Sequence, residues 1–219
     1  MCGRFTNRYS WRELHELYSL TDQDMIRSNF EPRYNIAPTQ LSLVVRELNG
    51  KRELAELRWG LLPHWAKSPS DGARMINARS ETVATSRAHR SAFQSRPCFV
   101  VADGFYEWKK TDGGKQPYHI TTKANAPFAF AGLWEPKSIA PQDTFTILTC
   151  EPNELCAQVH NRMPVMLSRN DWEAWLLTPG ERVKLLRPFS ADQMEMWPVG
   201  KAVGNPKNTG SELVEPIRP

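Results

Sequence analysis

Leu41-Ser42-Leu43-Val44-Val45-Arg46-Glu47-Leu48-Asn49-Gly50-Lys51-Arg52-Glu53-Leu54-Ala55-Glu56-Leu57-Arg58-Trp59 holds two β-like runs, Leu41–Leu48 and Glu53–Trp59, on either side of Asn49-Gly50. Asn-Gly between such runs signals a hairpin, because both central residues of the favoured tight turn need φ > 0. Antiparallel pairing is therefore the theme the rest of the chain is expected to follow. Further strand candidates are Cys98–Ala102, continuing through Asp103-Gly104 into Phe105-Tyr106-Glu107-Trp108, then Tyr118–Thr122 beyond a turn at Thr111–Gly114. Phe128–Trp134, Thr144–Cys150 and Glu195–Val199 complete the set.

Helices are fewer. Ser10 and Glu13 form a capping box ahead of the stripe Trp11, Leu14, Leu17 and Tyr18, predicting a helix over Ser10–Leu20. Ser86–Phe93 and Pro152–Val159 are shorter candidates, and Ser168 is expected to cap a helix carrying Trp172, Trp175 and Leu176. Arg33–Ala37, bracketed by Pro32 and Pro38, is expected as a loop, as are Gly60–Thr85 and His160–Pro164. No internal repeat or linker divides the chain. The expectation is one α+β domain over residues 1–219, an antiparallel, barrel-like sheet with peripheral helices and long functional loops.

The 219 residues are 40% hydrophobic and 24% charged, ordinary for a globular protein with one substantial core. A net charge of +4 permits a nucleic-acid partner without demanding one. No apolar run reaches the length of a membrane span, and the chain opens on polar, charged residues rather than a signal peptide. Cys98 and Cys150 lie in or at the end of apolar segments, as buried free thiols do, so a reducing, cytoplasmic setting is expected. Cys150, Cys156 and His160 match no zinc spacing, and no metal or organic cofactor is expected. A monomer is expected.

Chemistry concentrates in the loops and at the start. Removal of Met1 would leave Cys2 with an α-amine and a thiol on adjacent carbons, both partly nucleophilic near neutral pH. Such a 1,2-aminothiol condenses with an aldehyde to a Schiff base and closes a thiazolidine ring; an incidental residue on a frayed terminus is the plainer alternative. Glu107 shares a strand face with Phe105, so its carboxylate is either paired with a cation or kept for acid–base work. His160 follows a helix candidate and precedes Arg162, a place for a cap or for a catalyst. Arg4, Arg33, Arg79, Arg87, Arg162 and Lys207 fall in loops interleaved with Trp65 and Trp108. They suit phosphate contact and base stacking, or simply a solvated basic face over core tryptophans.

Six ordered motifs draw these pieces together: Met1-Cys2-Gly3-Arg4-Phe5, Arg33-Tyr34-Asn35-Ile36-Ala37-Pro38, Asn77-Ala78-Arg79-Ser80-Glu81-Thr82, Asp103-Gly104-Phe105-Tyr106-Glu107-Trp108-Lys109, His160-Asn161-Arg162-Met163-Pro164 and Val203-Gly204-Asn205-Pro206-Lys207-Asn208. From residue 2 to about residue 214 the chain resembles the SOS response-associated peptidase (SRAP) family. The resemblance implies a protein of the DNA damage response that crosslinks to abasic sites in single-stranded DNA, single-strand/double-strand junctions included, and shields them. It would sit in the cytoplasm and join the nucleoid when engaged on DNA. Cys2 would be the nucleophile through amine and sulfur, Asn77 would position the forming ring, Glu107 would relay protons at the amine, and His160 would serve the opened sugar hydroxyl. Arg4, Arg79, Arg162, Asn205 and Lys207 would contact the DNA backbone, with Arg87 among the same basic loops. Asn35 would line the site, and Trp65 and Trp108 would stack on bases or wedge at a duplex end. Schiff-base strand cleavage (lyase activity) could accompany capture. The alternatives are a cysteine peptidase using Cys2 with His160 and Glu107, in its simplest form removing Met1 from itself, and a noncovalent single-strand DNA-binding module.

Overall fold

The computed structural model describes residues 2–20 and 31–217. Along the chain come β1 (Phe5–Asn7), α1 (Trp11–Tyr18), β2 (Arg33–Ile36), β3 (Leu41–Leu48), β4 (Lys51–Trp59), β5 (Asn77–Arg79) and α2 (Arg90–Ser95). After these come β6 (Pro97–Val101), β7 (Gly104–Thr111), β8 (Gly114–Thr122), β9 (Phe128–Glu135) and β10 (Thr144–Cys150). The chain ends through β11 (Met163–Pro164), β12 (Met166–Ser168), α3 (Trp172–Leu177), α4 (Arg182–Leu185) and β13 (Met194–Pro198).

The Asn-Gly hairpin forms as its chemistry requires. Leu48 pairs with Lys51, and Asn49 and Gly50 take φ of 53° and 72°, both positive. From this hairpin the larger sheet closes on itself. β10 pairs with β4, β4 with β3, β3 with β6, β6 with β9, and β9 returns to β10. Every residue of β6, β9 and β10 is buried, which matches the largely apolar β6 and β9, while β10 buries Thr144, Thr146 and Thr149 beside Phe145, Ile147 and Leu148. The α+β, barrel-like reading holds, with one departure: β10 runs parallel to both β4 and β5. The second sheet, ordered β13-β8-β7-β1-β2, is antiparallel throughout.

Phe5 bolts the two sheets together. Its ring centroid lies 5.1 Å from Trp59 and 5.9 Å from Phe130, edge-on to both. Edge-to-face contacts of this kind add to the burial of a large apolar side chain, so the start of the chain is fixed by core packing.

Several expectations are corrected, among them the loops expected at Gly60–Thr85 and His160–Pro164, which contain β5 and β11 because β10 supplies both with a pairing edge. Arg33–Ile36 is a strand rather than a loop, because Pro32 and Pro38 fall just outside it and β1 supplies a distant pairing edge. The run from Cys98 to Trp108 is two strands in different sheets, β6 in the ring and β7 in the second sheet, with the switch at Ala102-Asp103. Pro152–Val159 forms only a 3-10 turn at Cys156–Gln158. There the Asn153 side chain accepts from the Cys156 N–H at 2.9 Å and donates to the Phe189 carbonyl at 2.8 Å, replacing helical bonds. Elsewhere, α1 keeps its Ser10–Glu13 capping box, while α2 sits a few residues later than expected and Ser168 bonds the Asp171 carboxylate instead of a backbone N–H.

Candidate functional site

Cys2 is fully buried and belongs to the main core cluster with Phe5. Three contacts hold the segment it starts. Phe5 is packed between the sheets, the Tyr106 N–H donates to the Arg4 carbonyl at 3.0 Å, and the Asn77 side-chain nitrogen donates to the Cys2 carbonyl at 2.8 Å. Burial pushes the Cys2 thiol well above its ordinary range, and the Glu107 charge adds to the rise. A neutral thiol, not a thiolate, is the resting form. Met1, whose loss the aminothiol chemistry requires, lies outside the described residues.

Glu107 is 4% exposed on β7. Phe105 points into the main core, while Tyr106 and Trp108 join a second cluster with Val199, Val203 and Leu213, so the strand alternates as the sequence suggests. Burial raises the Glu107 pKa, with His160 among the charges that pull it back. The imidazole is therefore close enough to act on the carboxyl. His160 follows the 3-10 turn, and its Nδ1 accepts the Arg162 N–H at 3.0 Å. Nδ1 also lies 3.2 Å from the Arg162 carbonyl, so it can accept the Arg162 N–H or donate to that oxygen, and both tautomers fit.

Asn77 reaches the site from β5, which is registered on β10 by the pairs Ile147–Asn77, Leu148–Ala78 and Thr149–Arg79. Its side-chain oxygen is buried and has no hydrogen-bond partner among the described residues. Cys2, Asn77, Glu107 and His160 thus converge from four separate stretches.

The residues expected to meet DNA divide into two groups. Arg4 and Asn35 face inward. Arg4 donates to Asn35 Oδ1 at 2.8 Å and to the carbonyls of Val203 and Gly204 at 2.6 and 3.1 Å. The Asn35 amide donates to the carbonyls of Val203, Asn205 and Asn208 at 3.2, 3.0 and 2.9 Å. Between them they hold the 203–208 loop in shape. Arg162 is likewise engaged: both terminal nitrogens bond the Glu81 carboxylate, and one also donates to the Thr149 carbonyl at 2.6 Å. Arg162 holds the Glu81 pKa down at about 2.

Arg79, Arg87, Asn205 and Lys207 are exposed. Trp65 is exposed too, with the Arg87 guanidinium 5.4 Å from its ring centroid, whereas Trp108 is half-buried against the second cluster. Sequence reasoning did not single out Glu81, although it stands inside the Asn77–Thr82 motif. Nor did it foresee the carbonyls of the 203–208 loop as partners, since main-chain acceptors leave no mark on a sequence.

Known proteins resemble this chain in sequence and in architecture. The model of the family described as SOS response associated peptidase (SRAP) matches residues 1–206. The chain is 40% identical over 223 residues to the abasic site processing protein YoaM of Bacillus subtilis, covering 98% of both chains. It is 31% identical over 226 residues to the abasic site processing protein YedK of Escherichia coli, covering 99% of this chain and 100% of that one. Among solved structures, a protein from Bacteroides thetaiotaomicron superposes with a TM-score of 0.86 at 22% identity over 99% of this chain and all of that one, a likeness of fold. A phage-related protein from Bordetella bronchiseptica gives a TM-score of 0.71 at 29% identity, covering 90% of this chain and 94% of that one. Among the described residues no helix is long and apolar enough to cross a membrane.

Proposed function

The chain belongs to the SOS response associated peptidase (SRAP) family, and from that premise we propose that it processes abasic sites in DNA by trapping them covalently on Cys2. The observation that carries this reading is the buried Cys2, held by Asn77 through its carbonyl and close enough to the buried Glu107 carboxyl to feel its charge. An abasic deoxyribose opens to a C1′ aldehyde, the electrophile an aminothiol is suited to trap.

Once Met1 is gone, the Cys2 amine attacks C1′ and forms a carbinolamine. Glu107 takes the amine's excess proton and returns one to the departing hydroxyl, which leaves as water and gives the Schiff base. Sγ then adds to the imine carbon, the thiol proton passes to nitrogen, and the thiazolidine closes. Aldehyde plus aminothiol has become ring plus water. A thiol whose pKa burial has raised suits this order, amine first and sulfur second. It suits a cysteine peptidase less, because that chemistry needs a thiolate.

His160, acting as its imidazolium, would give a proton to the sugar ring oxygen as the hemiacetal opens, the C1′ hydroxyl losing its own proton to water, and would take the proton back in reversal. We assign direct phosphate contact to the exposed Arg79, Arg87, Asn205 and Lys207, base stacking to Trp65, and loop support to Arg4, Asn35, Arg162 and Trp108.

A single-stranded oligonucleotide with one abasic site, mixed with the protein and run on a denaturing gel, tests the proposal. A stable slow band that vanishes in Cys2→Ala is expected. A complex that salt dissolves, with no such band, would leave a noncovalent binding module instead.

A further inference from the structure

β7 and β8 do not stop where the second sheet stops. The last support on the β1 side is the Tyr106 N–H on the Arg4 carbonyl. On the β13 side the last supports are Val199 N–H on the Pro117 carbonyl and the Gln116 amide on the Val199 carbonyl. Beyond them the two strands continue as a ribbon, pairing Lys109 with Gln116, Lys110 with Lys115 and Thr111 with Gly114. Residues 109–115 are all exposed.

The ribbon's charge is unusual for its geometry. Lys110 and Lys115 stand directly opposite each other, an arrangement that repels. None of the ion pairs among the described residues takes in Lys109, Lys110 or Lys115. The one acid on the ribbon, Asp112, sits at the turn. By strand alternation Lys109 shares its face with Glu107, while Lys110 and Lys115 stand on the Trp108 face, so the ribbon leaving the site is positive on both faces.

We infer that this ribbon is a second DNA-contacting element, binding backbone phosphates that flank the abasic nucleotide held at Cys2. The inference rests on the abasic-site reading. At about 3.3 Å per residue, Lys110 stands roughly 10 Å along β7 from Glu107. That is about three phosphates at the 3.4 Å per nucleotide of one stacked strand. DNA would supply the counter-charge that the fold leaves out, and its phosphates would relieve the opposed lysines.

The test is Lys110→Gln with Lys115→Gln, measured as the second-order crosslinking rate against salt. With an oligonucleotide carrying several nucleotides on each side of the abasic site, the salt slope should fall by about 1.4, the share of two phosphate contacts on a single strand. With a single flanking nucleotide on each side, the difference between parent and variant should disappear. Replacing both lysines by Arg should restore the parental slope. Equal slopes on the longer DNA, or an equal loss on the trimmed DNA, would overturn the inference. Should the parent form no crosslink, the abasic-site reading fails by itself. The ribbon is then read from salt-dependent binding of an undamaged single strand, where equal slopes overturn it and a shallower variant slope upholds it.

Discussion

The side-chain nitrogen of Asn77 donates to the carbonyl oxygen of Cys2 across 2.8 Å. Because β5 is locked in register on β10, this bond ties the proposed nucleophile to the closed ring of strands. Asn77→Ala should release the Cys2 peptide and slow single-turnover crosslinking about tenfold, the equivalent of roughly 1.4 kcal/mol, within the range of one hydrogen bond. Asn77→Asp should be worse, since it sets a carboxylate against a carbonyl oxygen. Parental rates in both variants would reduce Asn77 to a spacer.

The division of labour within Cys2 is also testable. Cys2→Ser keeps the amine and loses the sulfur, so it should form a Schiff base that cannot close to a stable thiazolidine. Crosslinks should then survive a denaturing gel only when borohydride has reduced them. An N-terminal tag that stays attached should abolish both products with every side chain intact. A tagged protein that still crosslinks would place the chemistry elsewhere.

Much of the fold is legible in local sequence. The Asn49-Gly50 turn and the apolar run Phe128–Trp134 of β9 need only neighbouring residues to be read. β2 is not legible, because what makes Arg33–Ile36 a strand is β1, far back in the chain. The site divides in the same way. Motif spacing brings forward Cys2, Asn77, Glu107 and His160. It does not reveal that Arg4 and Asn35 spend their donors on the carbonyls of the 203–208 loop, some 170 to 200 residues on. An arginine in a loop reads the same whether its partner is a phosphate or a backbone oxygen.

Glu107 should cost stability at neutral pH. Its folded pKa is raised by burial, so below the ordinary carboxylate value of 4.5 both folded and unfolded forms are protonated and nothing is lost. As pH rises past that value the unfolded chain ionises first, and the folded state becomes progressively less favoured. Glu107→Gln should therefore match the parent in Tm near pH 4 and exceed it near pH 7.5, while crosslinking slows and its pH profile flattens. A variant less stable than the parent at pH 7.5 would mean that the carboxylate is fully compensated, and an unchanged rate would remove its proton-relay role.

His119 should make the protein acid-sensitive. It is fully buried between Tyr106 and Trp197, each 5.1 Å away ring to ring, and a Cβ on Gly104 would come within 2.4 Å of its Nε2. Neither ring nitrogen has a hydrogen-bond partner among the described residues. Burial first, and the Arg8 charge second, bring its pKa down to about 3 from 6.5. The unfolded chain takes up the proton first, so stability falls as pH drops below 6.5 and the loss is complete near 3. The total is on the order of 5 kcal/mol. Urea melts from pH 7 to pH 4 should show this decline in the parent and a flatter one in His119→Asn, whatever the variant's own cost. Parallel slopes would assign the acid sensitivity to other groups.

Arg162 and Glu81 offer the sharpest choice between support and contact. Arg162 grips Glu81 with two nitrogens, bonds the Thr149 carbonyl, and presents its own N–H to His160 Nδ1. With Glu81 held at about 2, the pair's contribution is complete above the ordinary carboxylate range and is lost only as pH falls toward 2. It cannot produce a pH effect between 5 and 9. If Arg162 mainly steadies the His160 loop, Glu81→Gln should slow crosslink formation and reversal several-fold with an unchanged salt slope, and Glu81→Asp should recover part of the loss. If Arg162 is instead a phosphate ligand held back by Glu81, the same Glu81→Gln change should tighten DNA binding and steepen the salt dependence. We expect the first outcome, because two nitrogens on a carboxylate and one on a backbone carbonyl leave little of the guanidinium for a phosphate.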